Sequence, residues 1–128
     1  MTAAAIYTKQ FRLAQHYLHK LRKAQHAYSQ GDSSAIYGLK LVEQDWAQIQ
    51  QGYSWSVTLS KQQDEVASLC SAYPYEAGEL LELLLTPQEQ YDWRKNALAA
   101  AQQIGDQQAE LAHLLALGDA CMVLAHYG

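Results

Sequence analysis

TPQEQYDWRKNALAAAQQIGDQQAELAHLLALGDACMVLAHYG, residues 86–128, decides the fold. It opens on a capping Thr86, a proline at the first helical position (Pro87), and Glu89 three residues beyond the cap, which together make a strong helix start. The helix so begun runs to Ile104. Gly105 supplies a left-handed stop and Asp106 directly after it can cap a second helix, so Gln107 to about Ala125 folds back antiparallel as an αα-hairpin. Trp93, Ala97, Ala100 and Ile104 recur at helical spacing as one expected seam, and Leu111, Leu114, Gly118 and Cys121 as another. The small residues Ala97, Ala100 and Gly118 would let two backbones approach closely while the large ones fill the adjoining gaps.

Upstream of this hairpin the pattern stays helical. The chain of 128 residues is one domain by length, 49% hydrophobic, with two prolines near helix boundaries, few valines and threonines, and no NG or DG hairpin turn. This composition predicts an all-α fold of about six helices in three stacked antiparallel hairpins: residues 1–59, 60–85 and 86–128. The first helix spans roughly Ala4 to Gln30, burying Phe11, Ala14, Leu18, Leu21 and Tyr28, and ends at Gly31-Asp32-Ser33-Ser34. The second spans about Ala35 to Ser54 with Leu39, Val42, Trp46, Ile49 and Tyr53 on one face; Gly52 and the serines after it leave open whether it breaks or runs on to Leu59. A third, from about Gln62, is expected to stop at Pro74, and a fourth to cover Tyr75 to Leu85.

The motif of the last hairpin has a known likeness. Trp93-Arg94-Lys95-Asn96-Ala97-Leu98-Ala99-Ala100-Ala101-Gln102-Gln103-Ile104-Gly105-Asp106, followed by Glu110, Leu114, Leu117-Gly118 and Cys121, resembles a tetratricopeptide repeat in its longer bacterial form. There the second helix of one repeat joins the first helix of the next. The resemblance covers about forty residues. It makes Leu117-Gly118 the close-packing pair, His126-Tyr127-Gly128 the turn before a further helix, and Tyr75 to Leu85, with Ala77, Leu80, Leu81 and Leu84, the preceding first helix. Such arrays occur in bacterial STAND-class signalling ATPases, and residues 15–55 are similar to the helical stretch that links their nucleotide-binding core to the repeat sensor. The resemblance thus implies a right-handed superhelical array that acts as a non-catalytic sensor or linker. No GxxxxGK[ST] phosphate loop occurs here, so no ATPase activity is implied.

Charge is distributed unevenly. Residues 1–31 hold five basic residues and no acid, whereas residues 32–128 hold four basic and thirteen acidic ones. Lys9, Arg12, His16, His19, Lys23 and His26 follow one another at steps of three and four and share one stripe, opposite the apolar face of the first helix. The stripe reads as a solvated face or as a docking surface for an acidic protein or peptide. With a formal net charge of −4 and few basic residues elsewhere, the chain does not carry a nucleic-acid footprint. Its histidine pairs lack a third ligand on the same face, so no metal and no cofactor is expected. Residues 1–10 have no apolar signal core and no apolar run approaches the 18 or so residues of a membrane span, which points to a soluble, cytoplasmic protein. Cys70 and Cys121 both lie on apolar faces and are expected as buried reduced thiols.

No Ser-His-Asp or Cys-His arrangement follows from the spacing, and Glu76, Glu79 and Glu82 read as a solvated helix face, so no catalytic residue is expected. Of the aromatic residues, Trp46 and Trp93 belong to the core, whereas Trp55, Tyr73 and Tyr75 are the candidates for an exposed recognition groove. A competing expectation is a small helical carrier or enzyme with a pocket between the first two hairpins lined by Tyr17, Tyr28, Trp46 and Tyr53. The last helix carries more apolar positions than one antiparallel neighbour can cover. Leu111, Leu115 and Met122 are therefore expected to be buried in a homodimer or against a further repeat of a longer chain.

Overall fold

Thr2 starts the first helix, its hydroxyl accepting a hydrogen bond from the Ala5 amide at 3.1 Å. The computed structural model describes residues 2–127, and among them it contains six α-helices and no strand. The first, α1 (Ala3–Ser29), and the second, α2 (Asp32–Leu59), are joined by a tight turn in which Gly31 takes a φ of +77°. They form an antiparallel hairpin: the Tyr7 ring meets Trp55 near one end, and Gly38 meets Ala24 and Tyr28 near the other. A Cβ on Gly38 would stand 2.5 Å from the Ala24 carbonyl oxygen, so here the helices touch backbone to backbone. Gly52 serves the same purpose at the second crossing, where the Tyr73 hydroxyl and the Ala14 backbone occupy the space beside it.

Helix α2 does not break at Gly52. The Ser56, Thr58 and Ser60 hydroxyls donate back to the Tyr53, Ser54 and Val57 carbonyls, which satisfies them inside the helix. The third helix, α3 (Asp64–Ala77), likewise continues through Pro74, against expectation. Pro74 is itself buried, as are Tyr73 and Ala77 of the same helix, and this burial outweighs the one lost helical hydrogen bond. Gly78, with a φ of +51°, ends the helix. The expected fourth helix shrinks to the five-residue α4 (Leu80–Leu84), which inserts Leu80 and Leu81 into the core.

The second hairpin follows its local code. Thr86 and Glu89 close both arms of a capping box at 2.9 and 3.2 Å, and α5 (Pro87–Ile104) ends at Gly105 with a φ of +73°. Asp106 caps the Ala109 amide at 3.1 Å to start α6 (Gln107–Tyr127). The helix continues through His126, where the expected turn would have begun; Gly128 and the Tyr127 side chain lie outside what is described.

Between the two hairpins lies α3. Its Tyr73 hydroxyl donates to the Ala14 carbonyl at 2.6 Å, and Asp64 at its start accepts from Gln103 near the end of α5. Leu21, Val42, Ile49, Tyr53, Leu69, Tyr73, Leu80 and Trp93 make one continuous core across the helices.

The face of α6 that turns inward is not the expected one. Ala109, His113 and Ala120 are buried, while Leu111, Leu114, Gly118 and Cys121, expected as a seam, are all exposed. The physical reason is the partner: α5 offers small buried residues, Ala97, Ala100 and Ala101, and alanine-on-alanine packing leaves the large side chains of α6 outside.

Candidate interaction surfaces

The basic stripe is where its spacing put it. Lys9, Arg12, His16, His19, Lys23 and His26 are all exposed along α1. Neither of the two ion pairs that α1 makes to acidic helices uses these residues: Arg22 pairs with Glu76 at 3.2 Å and Lys20 with Asp45 at 4.0 Å. The internal neutralisation of α1 thus falls on the flanking cations. The stripe is left facing solvent.

Two of the three aromatic candidates for a groove are elsewhere. Tyr73 is completely buried and hydrogen-bonded, and Trp55 is half-buried against Tyr7 and Phe11 at ring distances of 5.7 and 6.3 Å. Tyr75 remains exposed, its hydroxyl accepting from Gln108. Two of the four rings proposed to line a pocket, Trp46 and Tyr53, are instead packed against Trp93. Tyr53 stacks on Trp93 at 3.7 Å and Trp46 stacks on Trp93 at 6.0 Å, with the Tyr53 hydroxyl accepting from Asn96. Tyr17 borders a small cleft of about 50 Å³ with Trp55 and Gly52.

One polar arrangement escaped sequence reasoning. His113, fully buried on α6, lies 3.0 Å from the Ser71 hydroxyl through Nε2 and 3.1 Å from the Arg94 guanidinium through Nδ1. Because guanidinium only donates, Nδ1 must accept, so Nε2 carries the proton and donates it to Ser71. This is the wrong tautomer for drawing a proton off the serine, and Ser71 is itself buried. The trio ties α3, α5 and α6 together. Burial first, and then the adjacent Arg94 charge, push the His113 pKa down to about 4. Burial also lowers that of Arg94, partly opposed by Glu82. Beside Arg94 a cleft of about 400 Å³ opens between α4, α5 and α6, with Glu82, Gln90, Asp119 and Val123 on its walls. Among the described residues no three His, Cys, Asp or Glu side chains come together as a metal site.

The outer face of α6 is the third surface. Leu111 is 59% exposed, Leu115 64% and Met122 73%, with Leu114 and Val123 also exposed. Cys121 is exposed here too, whereas Cys70 is buried as expected. Residues 107–126 also reach the length and mean hydropathy of a membrane-crossing helix, since Glu110 and Asp119 are their only formal charges apart from histidine. The chain matches no family model, no curated protein and no solved structure.

Proposed function

We propose that this chain is a non-catalytic protein–protein interaction module. In this proposal it is a tetratricopeptide-like sensor or linker segment of a bacterial, cytoplasmic signalling protein of the STAND class. The observation that carries it is the outer face of α6, where several large apolar side chains stand in solvent on one helix. Monomeric soluble proteins rarely leave so contiguous an apolar surface uncovered, and such surfaces mark binding sites. The α5–α6 hairpin supports the repeat reading; the first helix expected over Tyr75 to Leu85 is only the five-residue α4, so in this reading α3, which packs beside α5, takes its place. The basic stripe on α1 offers a separate docking face for an acidic protein or peptide.

Site-specific photocrosslinking in cells tests the reading. A photoreactive amino acid at Leu111, Leu115 or Met122 should give adducts to a polypeptide, while the same group at an exposed α2 position such as Glu43 gives none. Absence of polypeptide adducts from all three α6 positions would refute the module.

A further inference from the structure

We propose that the occupant of the outer face of α6 is α6 of a second copy of this chain, packed antiparallel about a twofold axis beside Gly118. This rests on the interaction-module reading of that face and names its partner. Leu111, Leu115, Gly118, Met122 and Ala125 follow one another at steps of four and three. They therefore form one straight seam of the kind by which two helices pair, with Leu114 alongside. All six residues are exposed and uncharged; Glu110 and Asp119 stand at the flanks.

Gly118 identifies the crossing point. The chain has two other glycines inside helices, Gly38 and Gly52, and at each a neighbouring element occupies the space a Cβ would need. Gly118 has nothing within 4 Å of that position, yet a glycine inside a helix costs about 1 kcal/mol relative to alanine. A second helix laid across it gives it the use that Gly38 and Gly52 already have.

The residues on either side of Gly118 are complementary to themselves when one copy is reversed. Leu111, seven residues before it, meets Ala125 of the other copy, seven residues after, so wide faces narrow. Leu114 and Leu115 meet Met122 of the other copy in the same way. A parallel pair would instead set Leu111 and Leu115 each against its own copy and Ala125 against Ala125, crowding one end of the seam and leaving the other underfilled. Reversal also sets the two helix dipoles antiparallel, with the positive end of each beside the negative end of the other. An isologous pairing of this kind needs only one patch, and that is what α6 provides. The exposed area of the seam is on the order of 500 Å² per copy, so the pair buries on the order of 1,000 Å², at the threshold for a specific interface.

Sedimentation velocity on the purified 128-residue chain, from about one to about a hundred micromolar, should show the mass doubling from 14.3 kDa. Met122→Glu and Leu115→Glu should each weaken the dimer at least about tenfold without changing the helical circular dichroism, because both side chains are exposed in the single chain. Gly118→Leu should do the same while the thermal midpoint of the dilute monomer stays level or rises. With Cys121→Ser as background, Gly118→Cys should crosslink to its own copy on oxidation and Leu111→Cys should not.

A monomer throughout the range overturns the pairing, as does a dimer indifferent to Met122→Glu and Gly118→Leu, or one that crosslinks through Leu111→Cys. A monomer that floats with phosphatidylglycerol vesicles overturns it in favour of a membrane surface. If the chain is monomeric but photocrosslinks in cells join α6 to a different polypeptide, the pairing fails and the module stands; if there are no adducts either, both fail.

Discussion

Acid should destabilise this protein in large part through His113. It is fully buried, accepts from Arg94 at Nδ1 and donates to Ser71 at Nε2, so the folded chain holds it neutral. Protonating it would place a second positive charge against a half-buried guanidinium with no carboxylate in the trio. Its pKa falls to about 4 in the folded chain, against about 6.5 when unfolded. Because the folded value is the lower one, the unfolded chain takes up the proton first. The stabilisation is therefore complete above about pH 6.5 and is lost as the pH falls toward 4. At 1.36 kcal/mol per pH unit, the loss between pH 7.5 and 4.5 is about 2.5 kcal/mol, a large part of the stability of a small domain. Urea denaturation of the parent and of His113→Gln at both pH values isolates it. Glutamine keeps one acceptor for Arg94 and one donor for Ser71 but does not titrate, so carboxylate contributions cancel in the comparison. The parent should lose about 2.5 kcal/mol more than the variant over that interval. Parallel pH profiles for the two proteins would refute the buried neutral imidazole.

Two helical glycines should respond to alanine with opposite sign. Gly38→Ala forces the α1 and α2 backbones apart and should cost about 1 to 3 kcal/mol, whereas Gly118→Ala in the dilute monomer should gain about 0.5 to 1 kcal/mol; urea midpoints decide both. Cys121 should react with a thiol reagent in the native protein. Cys70, buried and with its thiol pushed up to about 11, should react only on unfolding, and equal rates would contradict the burial of α3. Reversing Lys9, Arg12 and Lys23 to glutamate should shift the denaturation midpoint little, since exposed charges contribute weakly. It should also weaken and flatten the salt dependence of binding to an acidic protein partner; unchanged affinity would remove the stripe from that role.

What was legible in the sequence was local. The Thr86–Glu89 box and the Gly105-Asp106 punctuation act within four residues, so they fix α5 and the start of α6 whatever surrounds them. The sharp sorting of α1 into a buried line through Ala14, Leu18, Leu21 and Ala24 and an opposite basic stripe was equally plain. Local signals misled where tertiary packing overruled them. Pro74 normally ends a helix and Gly52 weakens one, but both are spent on contact: Pro74 is buried in the core, and Gly52 makes room for the Tyr73 hydroxyl on its way to Ala14. Tyr73, followed by a proline and a second tyrosine, looked like a recognition surface because its partner carbonyl lies 59 residues away.

The orientation of α6 shows why its working face was hidden. Apolar residues surround this helix on nearly every side, so hydrophobic periodicity names no inward direction, and the large leucines are the natural but mistaken choice for the core. Two features break the degeneracy. His113 can be buried only where partners exist, and Ser71 and Arg94 supply them on the inward side. Alanines 97, 100 and 101 of α5 then accept only small neighbours, which admits Ala109 and Ala120 and turns Leu111, Leu115 and Met122 outward. Satisfying one buried imidazole therefore fixes the rotation of the helix. The same rotation brings Gly118, with nothing to press against within its own chain, to the middle of the exposed apolar line.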